Sequence, residues 1–183
     1  MITMTTRLLA LLRGINVGGN KLVDMARLRD LLTALDYTDI RTYLQSGNAV
    51  LSCSPDQVAT AAAQLEEAIA GEFGFDCRVI VRTAPELAAA MSADPLLHLV
   101  DNPSRHFLGF LSDPPLSEGV ARLSGEDFGI DQLRIVDRHV YLWCPNGLTG
   151  SPFGKLNFDR ILGVAVTMRN WNTVSKLAGL LAG

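Results

Sequence analysis

Residues 39–53 read DIRTYLQSGNAVLSC, and the prediction of the strand order begins from them. Two runs with strand character, DIRTYLQ and AVLSC, lie on either side of the turn Gln45-Ser46-Gly47-Asn48. Glycine and asparagine tolerate the positive φ angles that tight hairpin turns need. The stretch therefore predicts two antiparallel strands that follow one another directly along the chain.

The segments on either side of this hairpin alternate between strand and helix patterns. A strand is predicted over 7–15 and a helix over 25–36, where leucines recur at helical spacing. After the hairpin come an alanine-rich helix over 55–70, the strand CRVIVRT and a short helix over 84–91. The order β-α-β-β-α-β is that of the ferredoxin-like fold, in which two helices cover one face of a four-stranded antiparallel sheet.

The second half of the chain repeats the order of the first. Strand patterns occur in RHFLGFLS, QLRIVDR, VYLWC and VAVTMR, with helices near 117–123, near 155–162 and at the C-terminus. RLLALL corresponds to RHFLGF, AVLSC to VYLWC, and VIVRTAPEL to AVTMRNWNTV, so that Arg82 matches Arg169. We therefore predict an α+β protein made of two duplicated ferredoxin-like βαββαβ units with antiparallel sheets and an extra helix after each. The turn-rich residues 101–104 divide the chain into subdomains 1–100 and 101–183.

Composition limits the classes of protein and partner. The chain has 183 residues and a net charge of −3, which argues against general attraction to nucleic acid. Its apolar runs fall short of the ~20 residues of a membrane span, and no cleavage site follows the first one, so we expect a cytoplasmic protein without a membrane partner. Basic residues dominate from Arg138 onward, where an anionic partner would be attracted. The three cysteines are expected to be buried thiols, and the scattered histidines provide no metal site.

The glycine-rich stretch RGINVGGN, residues 13–20, follows the first strand and invites comparison with phosphate-binding loops. Gly14 and Gly19 have P-loop spacing, but Asn20 separates Gly19 from Lys21 and Leu22 replaces the hydroxyl that would bind magnesium. The dinucleotide-binding glycine pattern is not met either. Two interpretations remain: the glycines only turn the chain, or the loop belongs to a donor-rich binding pocket.

The predicted topology brings the polar segments to two rims, one in each half. Strands one and two of such a unit run the same way, so RGINVGGN should lie beside LQSGN. The same argument places PNGLTGSPFGK and MRNWN at one end of the second sheet. There, Asn170 is placed to cap the last helix, while Trp171 packs as a staple or stacks on a ligand ring. The candidate ligand-binding residues are Arg13, Asn16, Gly18, Gly19, Gln45, Ser46, Asn48, Lys155, Arg169, Asn170, Trp171 and Asn172.

These residues favour a small polar or anionic ligand, nucleotide-like by preference, because amides recognise planar polar groups and guanidinium groups bind phosphate. The alternative is an adaptor for single-stranded nucleic acid or protein that uses the face of Tyr141 and Trp143. A nucleic-acid partner is the less favoured because of the acidic balance. The sequence assigns no catalytic residue, cofactor, reaction or oligomeric state.

Three stretches together, LLRGINVGGN, YLQSGN and TMRNWNTV, resemble the signature of a bacterial domain-of-unknown-function family. The resemblance implies a small cytoplasmic α+β protein of ferredoxin-like character, for which no activity, substrate or cofactor is established. It also implies that the candidate residues within these stretches, with Gly47, are important. The chain departs from the family in FGKLNFDRIL, where Gly154 and Asn157 replace residues of a Ser-Lys-Leu-Thr-like run.

Overall fold

The computed structural model describes residues 4–183 as alternating strands and helices. The first part of the chain forms β1 (Thr6–Leu12), α1 (Met25–Ala34), β2 (Thr38–Tyr43), β3 (Asn48–Cys53), α2 (Ala61–Phe73), β4 (Val79–Thr83) and α3 (Ala84–Ser92). The second part forms β5 (His106–Leu111), α4 (Ser117–Gly125), β6 (Gln132–Val136), β7 (His139–Trp143), α5 (Phe158–Leu162), β8 (Val166–Asn170) and α6 (Trp171–Ala182). The described residues thus form an α+β fold.

The described strands form two four-stranded antiparallel sheets, with the orders β2-β3-β1-β4 and β6-β7-β5-β8. Since β3 is antiparallel to both β1 and β2, the latter two run the same way, and the segments that follow them leave the sheet at the same end. In the other sheet β7 and β8 are both antiparallel to β5, so their following segments also share an end.

The two sheets have matching registers. Leu8 faces Leu51 and Leu9 faces Arg82 in the first sheet, while Phe107 faces Leu142 and Leu108 faces Arg169 in the second. Arg82 and Arg169 therefore occupy equivalent positions, and each donates Nη1–H to the carbonyl of the preceding residue. The strand pairing thus aligns Arg7 with His106. The expected alignment of RLLALL with RHFLGF had matched Arg7 with Arg105, one residue earlier.

The chain folds into two compact units. Unit 1 extends from the N-terminal part of the chain to Ala88 and includes Leu177–Gly183; unit 2 is Ala89–Lys176. In unit 1, alternate residues of β1 pack with residues from α1 and α2, including Leu8, Ala10, Leu28 and Leu65. The core of unit 2 similarly joins strand residues to α4 and α5, including Leu142, Val166, Leu123 and Leu162.

Several element boundaries differ from the expectations for local backbone reasons. β1 ends at Leu12 rather than at residue 15, and Asn16 adopts a φ of 54°. The predicted helix over 55–70 is instead a 3₁₀ turn, Pro55–Gln57, followed by α2 (Ala61–Phe73). In the hairpin turn the positive φ angles belong to Leu44 and Gly47, whereas Asn48 is already the first residue of β3.

Candidate functional site

The glycine-rich loop of unit 1 folds into a small hairpin. Asn16 N–H donates to the carbonyl of Lys21 (3.1 Å), and Asn20 N–H donates to that of Val17 (3.3 Å). Gly18 and Gly19, the two central residues of this turn, have φ angles of 63° and 76°. Two successive positive φ angles are characteristic of the type I′ hairpin turn. The glycines thus have a structural reason for their positions without any bound phosphate.

Asn16 fastens this loop to the neighbouring hairpin turn. Its Nδ2 donates to the carbonyls of Val23 (3.0 Å) and Gln45 (2.7 Å), and its Oδ1 accepts from Val23 N–H (2.9 Å). The two segments that were expected to be neighbours therefore touch. The same bonds engage the amide group of Asn16 with the protein's own backbone.

Asn48 is engaged in the same way. It is fully buried, and its Nδ2 donates to the carbonyl of Tyr43 (2.8 Å) and to Ser46 Oγ (3.0 Å). Gln45 and Ser46 are exposed beside it, and Arg13 is half-buried. Ligand binding by these residues stays a prediction, but the side-chain amides of Asn16 and Asn48 already have backbone partners.

The rim of unit 2 also uses its polar groups internally. Arg169 Nη1 donates to Thr167 Oγ1 and to the carbonyl of Met168, both at 2.8 Å, and burial lowers the pKa of its guanidinium to about 10. Asn170 Oδ1 accepts from Thr173 N–H (3.0 Å) at the start of α6, as a capping residue does. Asn172 is exposed.

Trp171 packs on a histidine that is held on both ring nitrogens. The two rings lie 4.9 Å apart between centroids. His106 Nδ1 is 2.8 Å from the carbonyl of Leu142, and its Nε2 is 2.6 Å from Asp94 Oδ2, with the His106 and Asp94 side chains fully buried. Because a carbonyl and a carboxylate both accept hydrogen bonds, the arrangement needs a proton on each nitrogen, or a protonated Asp94.

Burial rules out the binding face predicted for the nucleic-acid and adaptor alternative. Tyr141 is fully buried and donates its hydroxyl to the carbonyl of Ala90 (2.6 Å), and Trp143 is only 6% exposed. Stacking on bases requires exposed ring faces. The prediction that these two rings form such a face is therefore wrong.

Lys155, the remaining predicted residue, lines a cleft between α4 and α5 in unit 2. The cleft has a volume of about 690 Å³ and is lined by Glu118, Gly119, Arg122, Lys155, Leu156, Asn157, Arg160 and Ile161. Arg169, Asn170, Trp171 and Asn172 are not among its lining residues. The structure thus does not place Lys155 in one pocket with the residues predicted at the end of β8.

Close packing of the two helices shapes this cleft. A Cβ atom on Gly119 would lie 2.0 Å from the carbonyl oxygen of Ile161, so only glycine lets the backbones approach this closely. Leu116 N–H donates to the carbonyl of Leu162 (2.9 Å), which ties the start of α4 to the end of α5. The cleft therefore lies between two closely packed backbones, and polar side chains are among its lining residues.

The charges in the cleft are mainly positive. Arg122, Lys155 and Arg160 are exposed cations, and Glu118 is the one carboxylate among its lining residues. Arg122 Nε donates to Glu126 Oε1 (3.1 Å). Within residues 4–183, the ammonium of Lys155 and the guanidinium of Arg160 make neither a hydrogen bond nor an ion pair, so both remain able to bind an anion.

The candidate ligand-binding residues predicted from the sequence do not include Glu118, Arg122 or Arg160, although Arg160 belongs to the basic segment that was expected to attract an anion. The spacing of Glu118 and Arg122, four residues apart on a predicted helix, was a readable signal that they share a face. The topology already predicted that the two helices of a unit cover the same sheet face. Together these two facts could have placed α4 and α5 side by side with Lys155.

The cysteines and the possible metal-ligating side chains provide no further candidate binding site in the described part of the chain. Cys53, Cys77 and Cys144 are buried free thiols, as expected, and burial raises the pKa of each. In the described part of the chain, no three His, Cys, Asp or Glu side chains are grouped as a metal site requires. None of the helices described for residues 4–183 has the length and apolar character needed to cross a membrane.

Comparison with known protein families assigns the chain to one of them. A family model described as "Protein of unknown function (DUF1697)" matches residues 4–141. The chain belongs to the DUF1697 family. The matched region contains the first two stretches of the expected signature and ends before TMRNWNTV, Lys155 and Arg160.

Comparison with solved structures supports the fold of this DUF1697 protein. A conserved bacterial protein, SP0830 from Streptococcus pneumoniae, is similar with a TM-score of 0.79 and 24% sequence identity. The similarity covers 97% of this chain and 99% of the other. No curated protein matches the chain significantly. At this level of identity the likeness shows a shared fold alone.

Proposed function

We propose that this DUF1697 protein binds a small, phosphate-bearing anion of nucleotide-like size in the cleft between α4 and α5. The observation that carries the proposal is the pair of unpartnered cations, Lys155 and Arg160, in a cleft of about 690 Å³. Small-molecule sites typically have volumes of about 300–1,000 Å³. Phosphate oxygens accept charge-assisted hydrogen bonds from ammonium and guanidinium groups, which are stronger than bonds between neutral groups.

The charge distribution supports the location. The chain carries a net charge of −3, so anions are not attracted to its surface in general. The cleft differs locally, since three of its lining residues are cations and one is an anion. Asn157 adds a donor: its Oδ1 caps Arg160 N–H (3.0 Å), and the Nδ2 group has no hydrogen-bond partner in the part of the chain described here.

The same proposal includes the finer fold assignment. We infer two duplicated ferredoxin-like units from the matching strand orders and from the equivalent positions of Arg82 and Arg169. Duplication explains why both halves have two helices beside the sheet. It also allows the helices of one copy to acquire a binding cleft while those of the other copy keep a purely structural role.

Thermal unfolding with pyrophosphate and with AMP tests the proposal. A ligand present at 100 times its Kd should stabilise the parent by about 2.7 kcal/mol. The Lys155→Gln/Arg160→Gln variant should lose this shift. A control, Arg41→Gln/Lys176→Gln, removes the same charge from exposed sites outside the cleft and should keep it. All samples need equal ionic strength because salt screens exposed charges.

Each alternative result has a definite meaning. If neither probe stabilises the parent, the proposed function is wrong. If both double variants lose the shift equally, net charge rather than the cleft explains binding. If Arg13→Ala abolishes the shift and the cleft variant keeps it, the ligand binds at the rim of unit 1 that the sequence predicted.

A further inference from the structure

The cleft between α4 and α5 contains a carboxylate that simple anion binding does not explain. Glu118 lies in the first turn of α4, exposed, and lines the cleft with the three cations. Its carboxylate has neither a hydrogen bond nor an ion pair within residues 4–183. Arg122, one turn later on the same helix, instead donates to Glu126.

An ionised carboxylate accepts hydrogen bonds and donates none. It repels a ligand that presents only negative oxygen atoms, such as inorganic phosphate. It attracts a ligand that also presents hydroxyl groups, because each hydroxyl can donate to a carboxylate oxygen. Hydrogen bonds to charged groups contribute more than those between neutral groups.

The cleft thus presents two kinds of recognition on facing elements. Lys155 and Arg160, from the α5 side, provide donors for a phosphate, and Glu118, from α4, provides an acceptor. The volume of about 690 Å³ leaves room for an organic group beside the phosphate. The packing of Gly119 against the backbone of Ile161 fixes the two elements close together.

We infer that the ligand is a phosphomonoester of a polyhydroxylated molecule, such as a sugar phosphate or the sugar-phosphate part of a nucleotide. Its phosphate binds Lys155 and Arg160, and its hydroxyl groups donate to Glu118, which makes Glu118 a specificity-determining residue. This inference rests on the proposed anion-binding function of the same cleft.

Calorimetric titration of the parent and of Glu118→Gln tests the inference. The probes are ribose 5-phosphate, inorganic phosphate and O-phosphoethanolamine at one ionic strength. In the variant, affinity for ribose 5-phosphate should fall about 5- to 10-fold, because a neutral amide replaces a charged acceptor. Affinity for inorganic phosphate should rise about 2-fold or more, because a like charge is removed.

Glu67→Gln is the matched control. Glu67 is an exposed glutamate of α2 that lies outside the cleft, so its substitution should leave both affinities unchanged. The opposite signs expected for the two probes with Glu118→Gln distinguish a hydroxyl acceptor from a residue that merely lowers the local potential. Because Glu118 is exposed, the melting temperature without ligand should not change.

Three results would overturn the inference and leave the proposed function standing. The first is higher affinity of Glu118→Gln for both phosphate and ribose 5-phosphate, which means that Glu118 only repels. The second is an unchanged affinity for ribose 5-phosphate. The third is tighter parental binding of O-phosphoethanolamine than of ribose 5-phosphate, which means that the donor is an ammonium group. If no probe binds the parent, the proposed function itself fails.

Discussion

The helix layers of the two units differ although the sheets share one strand order. In unit 1, α2 has 13 residues, and two of its three glutamates pair with cations: Arg27 with Glu72, and Arg78 with Glu66 (3.2 Å). In unit 2, α5 has only five residues, and Lys155 and Arg160 make no such pairs within residues 4–183. The strand order is thus the same in both units, whereas in the described part of the chain Lys155 and Arg160, before and within α5, lack the carboxylate partners that Arg27 and Arg78 have on α2.

A second difference concerns equivalent positions on the central strands. Arg7 of β1 and His106 of β5 align through the strand ladders. Arg7 donates Nη2–H to the carbonyl of Leu180 (2.8 Å), but its buried Nε has no hydrogen-bond partner within residues 4–183. His106 has a partner on both ring nitrogens. Because both ring nitrogens of His106 have partners, its interactions should contribute more to the free energy of unfolding than those of Arg7.

Removing the carboxylate partner of His106 tests this second difference. Asp94→Ala leaves the buried His106 without its carboxylate, and breaking a buried pair in this way typically costs about 3–5 kcal/mol. Asp94→Asn should cost less, because the amide can donate to a neutral Nε2. Arg7→Ala, at the equivalent position of unit 1, should cost about 1.5–3 kcal/mol for one hydrogen bond from a charged group. Urea unfolding measures all three, and equal losses for Asp94→Ala and Arg7→Ala would contradict the comparison.

Gly119→Ala tests how tightly the cleft helices pack. Its Cβ atom would meet the carbonyl oxygen of Ile161 at 2.0 Å, so the backbones must separate. Overpacking of this kind typically costs about 1–3 kcal/mol, and backbone rather than a flexible side chain must move here, which places the expected loss near the upper end. Thermal unfolding provides the measurement. A stability equal to that of the parent would show that α4 and α5 can separate freely.

Cys144 in unit 2 should make the stability of the protein depend on pH. Burial raises its pKa from 9.0 to about 11. The folded state therefore keeps a proton that the unfolded chain releases, so stability from this group is complete below pH 9 and is lost as the pH rises through about 11. The loss is on the order of 3 kcal/mol, at about 1.4 kcal/mol per pKa unit.

The measurement is the free energy of unfolding of parent and Cys144→Ala between pH 8 and 11. Tyr37, Tyr141, Cys53 and Cys77 also have raised pKa values and contribute to the same decline, so the difference between the two curves is the informative quantity. Parallel curves would show that Cys144 ionises as readily in the folded state as in the unfolded chain.

Unit 1 contains a helical glycine without close neighbours. Gly71 lies within α2, and an added Cβ atom would have open space around it. Gly71→Ala should therefore stabilise the protein by about 0.5–1 kcal/mol, the difference in helix propensity. Thermal unfolding beside Gly119→Ala then compares the two helix layers directly. A loss of stability for Gly71→Ala would mean that α2 packs more closely than its surroundings indicate.

Much of the fold could be predicted because its signals are local. The continuous apolar runs in β1 and β3, and the leucine stripe of α1, identified elements whose type and order the structure reproduces. Boundaries were less accurate where one residue decides the backbone path. The positive φ of Gly14 turns the chain before the predicted end of β1 at residue 15, and Pro55 begins a 3₁₀ turn instead of α2.

The candidate site was harder to predict because it depends on which partners a polar side chain finds. Asn16 and Asn48 have the composition of a ligand pocket, yet their amides bind backbone groups across a turn, which no sequence spacing reveals. The cleft residues were not predicted because nothing in their sequence context distinguishes them. Arg122 and Arg160 look like ordinary surface cations until α4 and α5 are placed together.

The grouping of Leu177–Gly183 with unit 1 has a consequence for protein synthesis. Unit 2 is continuous in sequence and can be completed as soon as its own residues have left the ribosome. Unit 1 begins first but lacks its closing residues, including the Leu180 carbonyl that accepts from Arg7, until the end of α6 has been translated. Although domains generally fold in order from the N-terminus during translation, here unit 1, most of which precedes unit 2, should be the last of the two to reach its final form.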